Sequence, residues 1–461
     1  MDVSPGQRNC LSFLFILFLG LLYMSSSVHL WNDEHVFYRF SWSFIHLPKD
    51  HFLEIFNYSR HSLHPPLYLI FIYFFSKIYA LISDPSVLSL RLTSVIFTTL
   101  SFYLILKELS FKTRNLLPLI LILILQIQTC YYWFDLGPYS LTFLLSTLYI
   151  IKLESVWRSK STNRKDFTLL VIYIFLLSHI HYFGTMLIFC TGLVYIIKSL
   201  RNNSQFYFYT LSHALGFILF MPWFLIAIKK ISTSDAPGSF LMLHTAQNYT
   251  YDFLKMMTSF SGNSLVLFFL TTFIIFAAYK KRMNLLLSLI LFFIITNIRS
   301  FIVFPLFVAR YNFPILPIFF ILFCLGLNEV AKTKRIILLY YLVFLIHVPH
   351  PQDYIDSMSA RWLNPPYHLS LVDTYIKENP STKSYSFYVG LNSHLDLQPY
   401  LNVIDISKLA LYPIGSSCDL RSIDLPAIYL SNDLFCLPEI FIEDGFELLD
   451  DNYGSSLWVK R

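Results

Sequence analysis

The chain alternates long apolar runs with short polar breaks from residue 10 to residue 349. Each run approaches the roughly 20 residues that an α-helix needs to cross the hydrocarbon core of a bilayer. The first run follows Arg8 without an evident small-residue cleavage site, so we interpret it as an uncleaved anchor rather than a signal peptide. The pattern predicts helices in the runs 10–30, 65–83, 88–106, 116–133, 139–152, 167–182, 184–200, 207–228, 264–279, 283–298, 312–328 and 336–349.

The pattern changes after residue 349 to shorter elements that are typical of a small α/β unit. We predict a helix over 369–377, strands over 384–389, 402–406 and 427–430, and a closing hairpin over 446–460. The chain is therefore expected to have a transmembrane domain over 1–349 and a small α/β domain over 350–461. Cys418 and Cys436 of this second domain can pair if their compartment is oxidising.

The composition excludes most other classes of protein. The chain is 56% hydrophobic and only 13% charged, whereas globular proteins carry about 25% charged residues. This content cannot supply the polar surface of a soluble fold, and it also excludes disordered and nucleic-acid-binding proteins. The lipid bilayer is therefore an expected partner and nucleic acid is not.

Charge is unevenly distributed and predicts the orientation. The 15 acidic and 7 basic residues from His350 onward give the tail a net charge of −8. Basic clusters usually mark cytoplasmic loops. The basic clusters of this chain lie on one face of the membrane only if one of the early apolar runs does not cross the bilayer. The best candidate is 65–83, which carries Lys77 in its interior and reads as a re-entrant or interfacial helix, although an ordinary second span stays open. About eleven spans then remain, with the N-terminus cytoplasmic and the tail extracytoplasmic.

The outer face of this topology collects polar groups from four loops. Carboxylates, histidines and arginines at a membrane face are costly unless they are paired or wet, so together they indicate a functional site. Taken singly, each can cap a helix or reach toward the headgroups. The candidates are Asp33, Glu34, Arg60, His64, Pro65, Pro66, Arg91, Asp135, Tyr139, His181, Arg310 and Tyr311.

Short motifs in these loops follow a familiar order. An acidic pair after the first span is followed by HPPLY, RLTS, YYWFDLGPY, HYFG and ARYNFP. This order resembles the GT-C membrane glycosyltransferases, and within them the family-39-like branch of protein mannosyltransferases and lipid A aminoarabinose transferases. The resemblance implies a polyprenyl-phosphate sugar as donor and inversion at the anomeric carbon. One departure is Gly137, where related sequences usually carry arginine.

The resemblance also implies roles for individual residues. Asp33 matches the acid used as general base, with Glu34 beside it, and Asp135 matches the acid of the second loop. The segment at His64, Pro65 and Pro66 matches one that flanks the lipid phosphate. Arg91 matches an arginine at the start of the following span. Arg310 and Tyr311 match an arginine–tyrosine pair of the late loop.

Chemistry independently favours the same reaction. The chain has no glycine-rich phosphate loop, so a transferase on the outer face would need its sugar delivered on a lipid. It would also need a carboxylate for the acceptor's proton and cations for the leaving phosphate. The acceptor would be a glycan, a lipid or a protein, in a bacterial inner membrane. A divalent cation between Asp33 and Asp135 stays open, as does a transporter or lipid flippase instead of an enzyme.

Overall fold

The computed structural model describes most of the apolar body and parts of the tail. The described residues are 4–27, 34, 37–38, 40–41, 44–45, 51–62, 65–82, 86–110, 116–125, 130–160, 162–233, 258, 264–302, 309–332, 334–348, 371–372, 374–375, 377–378, 385–389, 409–413, 427–431, 447–452 and 455–460.

The chain divides into two compact units. The first contains Met1–Ser25, Pro48–Phe74 and Leu88–His350, and the second contains Ser26–Leu47, Phe75–Val87 and Pro351–Arg461. The expected division into 1–349 and 350–461 stays a prediction.

Helices occupy every apolar run that the sequence pattern marked. In chain order they are α1 (Pro5–Ser27), α2 (His51–Ser62), α3 (Leu67–Ala80), α4 (Val87–Glu108), α5 (Leu116–Leu125), α6 (Pro138–Ser159), α7 (Arg164–Ile180), α8 (Tyr182–Ser199), α9 (Asn203–Thr233), α10 (Leu265–Ala277), α11 (Tyr279–Ile302), α12 (Leu316–Val330) and α13 (Lys334–His347). The predicted α-helical polytopic membrane fold is confirmed.

Seven helices in the described part of the chain are long and apolar enough to cross a bilayer. The protein is thus a multi-pass membrane protein. Helix α3 has 14 residues, fewer than the roughly 20 of a perpendicular span. Its length is compatible with the re-entrant or interfacial helix that the charge distribution favours.

Two of the predicted runs contain a 3₁₀ helix as well as an α-helix. The run 116–133 forms α5 and then, beyond it, a 3₁₀ helix over Cys130–Trp133. Similarly, α12 is preceded by a 3₁₀ helix over Ala309–Ile315, with Pro314 inside it. Proline removes a backbone donor and clashes with the preceding turn, which disfavours a continuous α-helix there.

Aromatic side chains fill the core where α4, α6 and α12 meet. The ring centroid of Phe102 on α4 lies 5.3 Å from that of Phe143 on α6 and 5.3 Å from that of Phe320 on α12. Gly326 lets α12 approach α10 closely, because a Cβ atom there would lie 1.8 Å from the carbonyl oxygen of Ile274. Close packing of this kind holds the helix ends in fixed positions.

The second unit contains a five-stranded sheet with β1 (Tyr385–Val389), β2 (Leu409–Pro413), β3 (Ala427–Ser431), β4 (Glu447–Asn452) and β5 (Ser455–Lys460). The strand order is β2-β1-β3-β5-β4. Strand β1 pairs in parallel with β2 and β3, whereas β5 is antiparallel to β3 and β4. The parallel strands, together with helical residues at 371–372, 374–375 and 377–378, confirm the predicted α/β character of the tail, and the β4–β5 pair confirms its closing hairpin.

The predicted strand over 402–406 lies outside the described residues, as do Cys418 and Cys436. The second unit also contains Ser26–Leu47, which precedes α2, and Phe75–Val87, which begins within α3. There the Lys77 ammonium donates to the carbonyl oxygen of Phe44 at 2.5 Å, and the hydroxyls of Ser41 and Ser76 lie 2.6 Å apart. These bonds give the interior lysine of the 65–83 run a partner.

Candidate functional site

The loop before α6 is held rigidly at its backbone. The amide of Asp135 donates to the carbonyl oxygen of Tyr131 at 3.1 Å. The hydroxyl of Thr98 on α4 donates to the carbonyl oxygen of Trp133 at 2.6 Å. The Asp135 side chain is 1% exposed. It lies just before the N-terminus of α6, where the helix dipole favours a carboxylate.

Gly137 leaves space directly beside that carboxylate. A Cβ atom on Gly137 would lie 2.9 Å from Oδ2 of Asp135 and 3.1 Å from Cδ2 of Tyr139. A side chain at position 137 would therefore start against the carboxylate of Asp135. The glycine thus lets the backbone pass close to this acid.

A buried arginine reaches the same loop from α4. Arg91 is fully buried, and its Nη1 atom donates to the carbonyl oxygen of Ser25 at 2.8 Å. Its guanidinium carbon lies 5.9 Å from the ring centroid of Phe134, within the range of a cation–π contact. Because Phe134 directly precedes Asp135, a cation and a carboxylate are built into the same region of the first unit.

Tyr139 connects this region to the turn between α7 and α8. Its ring centroid lies 5.8 Å from that of His181 and 5.9 Å from that of Phe313. His181 ends α7 and caps α8, where its Nδ1 atom accepts from the amide of Phe183 at 3.2 Å. A neutral His181 therefore carries its proton on Nε2, and its ring is fixed by the cap.

The 3₁₀ helix over Ala309–Ile315 completes the cluster. Its Phe313 ring lies 4.8 Å from that of Trp133 and 5.9 Å from that of Tyr132. The preceding Asn312 is 1% exposed, and within the described structure neither its amide nitrogen nor its amide oxygen has a hydrogen-bond partner. Buried polar atoms without partners are rare in folded proteins.

Four of the predicted site residues therefore lie in one region of the first unit, next to the 3₁₀ helix that contains two more. Arg91, Asp135, Tyr139 and His181 surround the loop before α6, and the backbone of Arg310 and Tyr311 belongs to the 3₁₀ helix that packs against it. Sequence reasoning missed Asn312, Phe313 and Trp133. The motif YYWFDLGPY contains Trp133, and ARYNFP contains Asn312 and Phe313, but neither motif distinguishes these residues from their neighbours.

The remaining predicted residues have different positions. Pro65 and Pro66 are buried at the start of α3, where the carbonyl oxygen of Pro66 accepts from the amide of Ile70 at 3.1 Å. Glu34 is helical and fully buried, in the second unit. The backbone of Arg60 lies in α2, while Asp33 and His64 lie outside the described residues. Roles for these residues stay predictions.

The described residues contain no group of three or more histidine, cysteine, aspartate and glutamate side chains that could hold a metal ion. Since Asp33 is not among them, the divalent-cation alternative stays open. An apolar cavity of about 460 Å³ lies apart from the site, between α10 and α11 and against Phe319 of α12. None of the predicted site residues that the structure describes lines it.

The opposite ends of the same helices carry paired charges. Arg282, near the start of α11, contacts Glu108 at 3.0 Å and Glu154 at 3.1 Å, and Arg158 contacts Glu108 at 2.6 Å. The Tyr195 hydroxyl donates to Glu154. We call this set, at the ends of α4 and α6, the ionic end of the bundle. Arg158 and Arg282 come from the basic stretches 152–165 and 280–282, and Lys107 directly precedes Glu108.

Solved structures identify the fold. The chain resembles the crystal structure of ArnT from Cupriavidus metallidurans bound to undecaprenyl phosphate, with a TM-score of 0.56 and 11% identity over 97% of both chains. The apo structure of that protein gives a TM-score of 0.52 at the same identity and coverage. No family model matches the chain, and no curated protein matches it in sequence. The chain therefore shares the fold of these ArnT structures, which agrees with the GT-C-like fold that the order of motifs indicated.

Proposed function

We propose that this protein is an inverting membrane glycosyltransferase that moves a sugar from a polyprenyl-phosphate donor to a hydroxyl acceptor. The observation that carries the proposal is the buried cluster of Arg91, Asp135, Tyr139 and His181 in a fold similar to that of a protein crystallised with undecaprenyl phosphate. The acceptor is a hydroxyl of a lipid-linked glycan, a lipid or a protein.

The reaction needs one base and one cationic site. The acceptor hydroxyl gives its proton to the Asp33 carboxylate, and its oxygen forms a bond to the anomeric carbon from the face opposite the phosphate. The bond between that carbon and the phosphate oxygen breaks, and polyprenyl phosphate leaves with both electrons. A positioned base contributes roughly 10²–10⁴-fold to such a step.

Arg91 is suited to the leaving phosphate. A guanidinium has five N–H donors in a planar fork that matches phosphate oxygens, and the bond from Arg91 to the carbonyl oxygen of Ser25 fixes its orientation. Burial strengthens its attraction for a phosphate relative to that of a solvated cation. Arg60, His64 and Arg310 would add to this charge, and Pro65 and Pro66 would fix the start of α3 beside them.

Asp135 and its neighbours are suited to the sugar. The carboxylate of Asp135 can accept sugar hydroxyls, and the Tyr139 and His181 rings offer flat surfaces and polar edges. Glu34 would support the base Asp33, and Tyr311 would face the donor from the late loop. We place this site on the extracytoplasmic side of a bacterial inner membrane, with the N-terminus in the cytoplasm.

Replacement of Asp33 tests the proposal. Asp33→Asn in purified protein should lose at least 100-fold of the transfer from radiolabelled polyprenyl-phosphate sugars extracted from the native membrane, because an amide cannot accept the proton. Asp166→Asn is the matched control, since Asp166 pairs with Lys152 near the ionic end. Full activity of Asp33→Asn would contradict its assignment as the base.

A second measurement separates transfer from transport. Wild-type protein in proteoliposomes that moves lipid-linked sugars across the bilayer without forming a glycosidic bond would contradict the enzyme and favour a flippase. Analysis of surface glycans in a deletion strain would identify the sugar and the acceptor together. A strain with unchanged glycans and lipids would also count against the proposal.

A further inference from the structure

Several of the buried polar atoms without partners lie around one part of the site, while others are spread through the bundle. Within the described structure they include the hydroxyls of Ser140 and Ser178, the hydroxyl oxygen of Thr185 and both amide atoms of Asn312. Ser140 and Ser178 are fully buried and Asn312 is 1% exposed. Folded proteins pair such atoms, because a buried polar group without a partner loses its bonds to water.

These atoms come from four segments that meet. Ser140 follows Tyr139 on the first turn of α6, Ser178 lies one turn before His181, and Thr185 lies one turn after it. Asn312 precedes Phe313 on the 3₁₀ helix. Helix α6 packs against α7 and against the 3₁₀ helix, and α8 packs against α7 and the same 3₁₀ helix.

Ring contacts link the four segments at one place. Tyr139 contacts His181 of the α7–α8 turn and Phe313 of the 3₁₀ helix, with ring centroids 5.8 and 5.9 Å apart. Each partnerless atom belongs to a residue within four positions of one of these three rings. The unpaired groups therefore lie on the same short stretches of chain as the aromatic rings, in segments that pack together.

The paired asparagines of the same bundle make a useful contrast. Asn297 and Asn328 donate to the carbonyl oxygens of Phe293 and Cys324, each at 2.8 Å or less. An asparagine on a helix can thus satisfy itself by bonding to the preceding turn. Asn312 does not, and a 3₁₀ segment with Pro314 inside it holds it where neither amide atom is satisfied.

The chemistry of these groups matches a sugar rather than a phosphate. An amide presents a donor and an acceptor side by side, and a serine hydroxyl presents both, which suits neighbouring hydroxyls of a pyranose or furanose ring. None of Asn312, Ser140, Ser178 and Thr185 carries a charge, so they add little to the binding of an anion. Aromatic rings beside them can cover the C–H face of the same sugar.

We infer that Asn312, with Ser140 and Ser178, forms a sugar-hydroxyl subsite next to Tyr139 and His181. This inference rests on the proposed function, since it names the group that the transferase recognises there. The sugar is that of the donor or that of a glycan acceptor. Both present the same hydroxyls, and the experiment distinguishes them.

Asn312→Leu is the decisive variant because its volume is similar and it removes both polar atoms. If the subsite binds sugar, transfer should fall at least tenfold while the thermal unfolding temperature stays equal or rises, since an unsatisfied amide has been replaced by an apolar group. Asn328→Leu is the matched control and should keep its transfer rate while losing stability. Ser178→Ala repeats the test if Asn312→Leu does not fold, with transfer expected to fall severalfold.

The kinetic constants identify the source of the sugar. A higher KM for the radiolabelled lipid-linked donor assigns the subsite to the donor sugar, whereas a higher KM for the glycan acceptor assigns it to the acceptor. Deoxy analogues of the affected substrate sharpen the result. Wild type should discriminate against at least one of them at least tenfold, and Asn312→Leu should lose that discrimination.

The outcomes separate the two claims. If wild type transfers sugar and Asn312→Leu does so equally well with the same KM values, the subsite is wrong and the transferase stands. If Asn312→Leu is less stable and fully active, Asn312 is a structural group satisfied by water, and the subsite is again wrong. If wild type forms no glycosidic bond, the proposed function fails and the subsite fails with it.

Discussion

The two ends of the helix bundle treat their polar groups in opposite ways. At the ionic end, each arginine and carboxylate finds a partner: Arg282 with Glu108 and Glu154, and Arg158 with Glu108. At the other end of α4, α6 and α7, hydroxyl and amide atoms such as those of Ser140 and Asn312 are buried without partners. One end thus pairs its charged side chains, whereas the other buries uncharged hydroxyl and amide groups without partners, as functional sites often do.

The largest expected effect lies at the ionic end. Arg282→Ala removes the cation between Glu108 and Glu154, whose side chains are only 11% and 5% exposed. Removing one partner of a buried ion pair usually costs about 3–5 kcal/mol, because the remaining charge stays uncompensated. Thermal unfolding in detergent should show this loss, while protein kept at low temperature should transfer sugar normally.

A second variant checks the cause. Adding Glu154→Gln to Arg282→Ala removes one of the orphaned charges and should restore part of the lost stability. If Arg282→Ala unfolds like wild type, or if it folds well and loses transfer, the assignment of this end to stability alone is wrong.

The next effect should fall on activity alone. Asp135→Asn keeps the shape of a buried side chain but removes the charge, so we expect transfer to fall about 100-fold, equivalent to about 2.7 kcal/mol of transition-state stabilisation. Its unfolding temperature should change far less than that of Arg282→Ala, because asparagine keeps the size and shape of the side chain. Initial rates with the radiolabelled donor measure the first effect, and Asp166→Asn again serves as control. A variant that unfolds early without a change in rate would reverse the comparison between the two ends.

The sequence predicted the helices because long apolar runs have few alternatives in a bilayer. It also indicated that Arg91, Asp135, Tyr139 and His181 belong to one face, and the structure brings them into one region, but their functional roles stay predictions. It did not predict β2 (Leu409–Pro413), whose apolar run ends in proline and does not alternate with polar residues. Because β2 lies at the edge of the sheet, it tolerates that proline.

The role of Asn312 could not be predicted either. Whether an asparagine bonds to the preceding turn depends on the local backbone, and only the packed structure distinguishes Asn312 from Asn328. Likewise, the 3₁₀ helix over Cys130–Trp133 lies in a run that the sequence pattern marks as a single span. Periodicity reports burial and does not reveal where a buried segment changes its helix type.

A smaller effect is expected beside the Asp135 carboxylate. In Gly137→Ala the new Cβ atom would lie 2.9 Å from Oδ2 of Asp135, so the carboxylate must shift. A shift of a few tenths of an ångström should lower transfer about tenfold, or about 1.4 kcal/mol, with little change in stability. Gly20→Ala is the matched control, because nothing lies within 4 Å of the corresponding Cβ atom. Equal rates in the two variants would show that the position of this carboxylate does not matter.

The smallest effect tests how far the pairing of charges contributes to stability. The Lys332 side chain is 73% exposed and pairs with Glu329, which also pairs with Lys281. Exposed ion pairs contribute about 0–1 kcal/mol, and Glu329 keeps one cation when Lys332 is removed. Lys332→Ala should therefore change the free energy of unfolding by no more than about 0.5 kcal/mol, a difference that high salt should abolish. If Lys332→Ala lost as much free energy of unfolding as Arg282→Ala, burial would not be the reason why the ion pairs are stabilising. The contrast between the two ends would then depend on the number of charges alone.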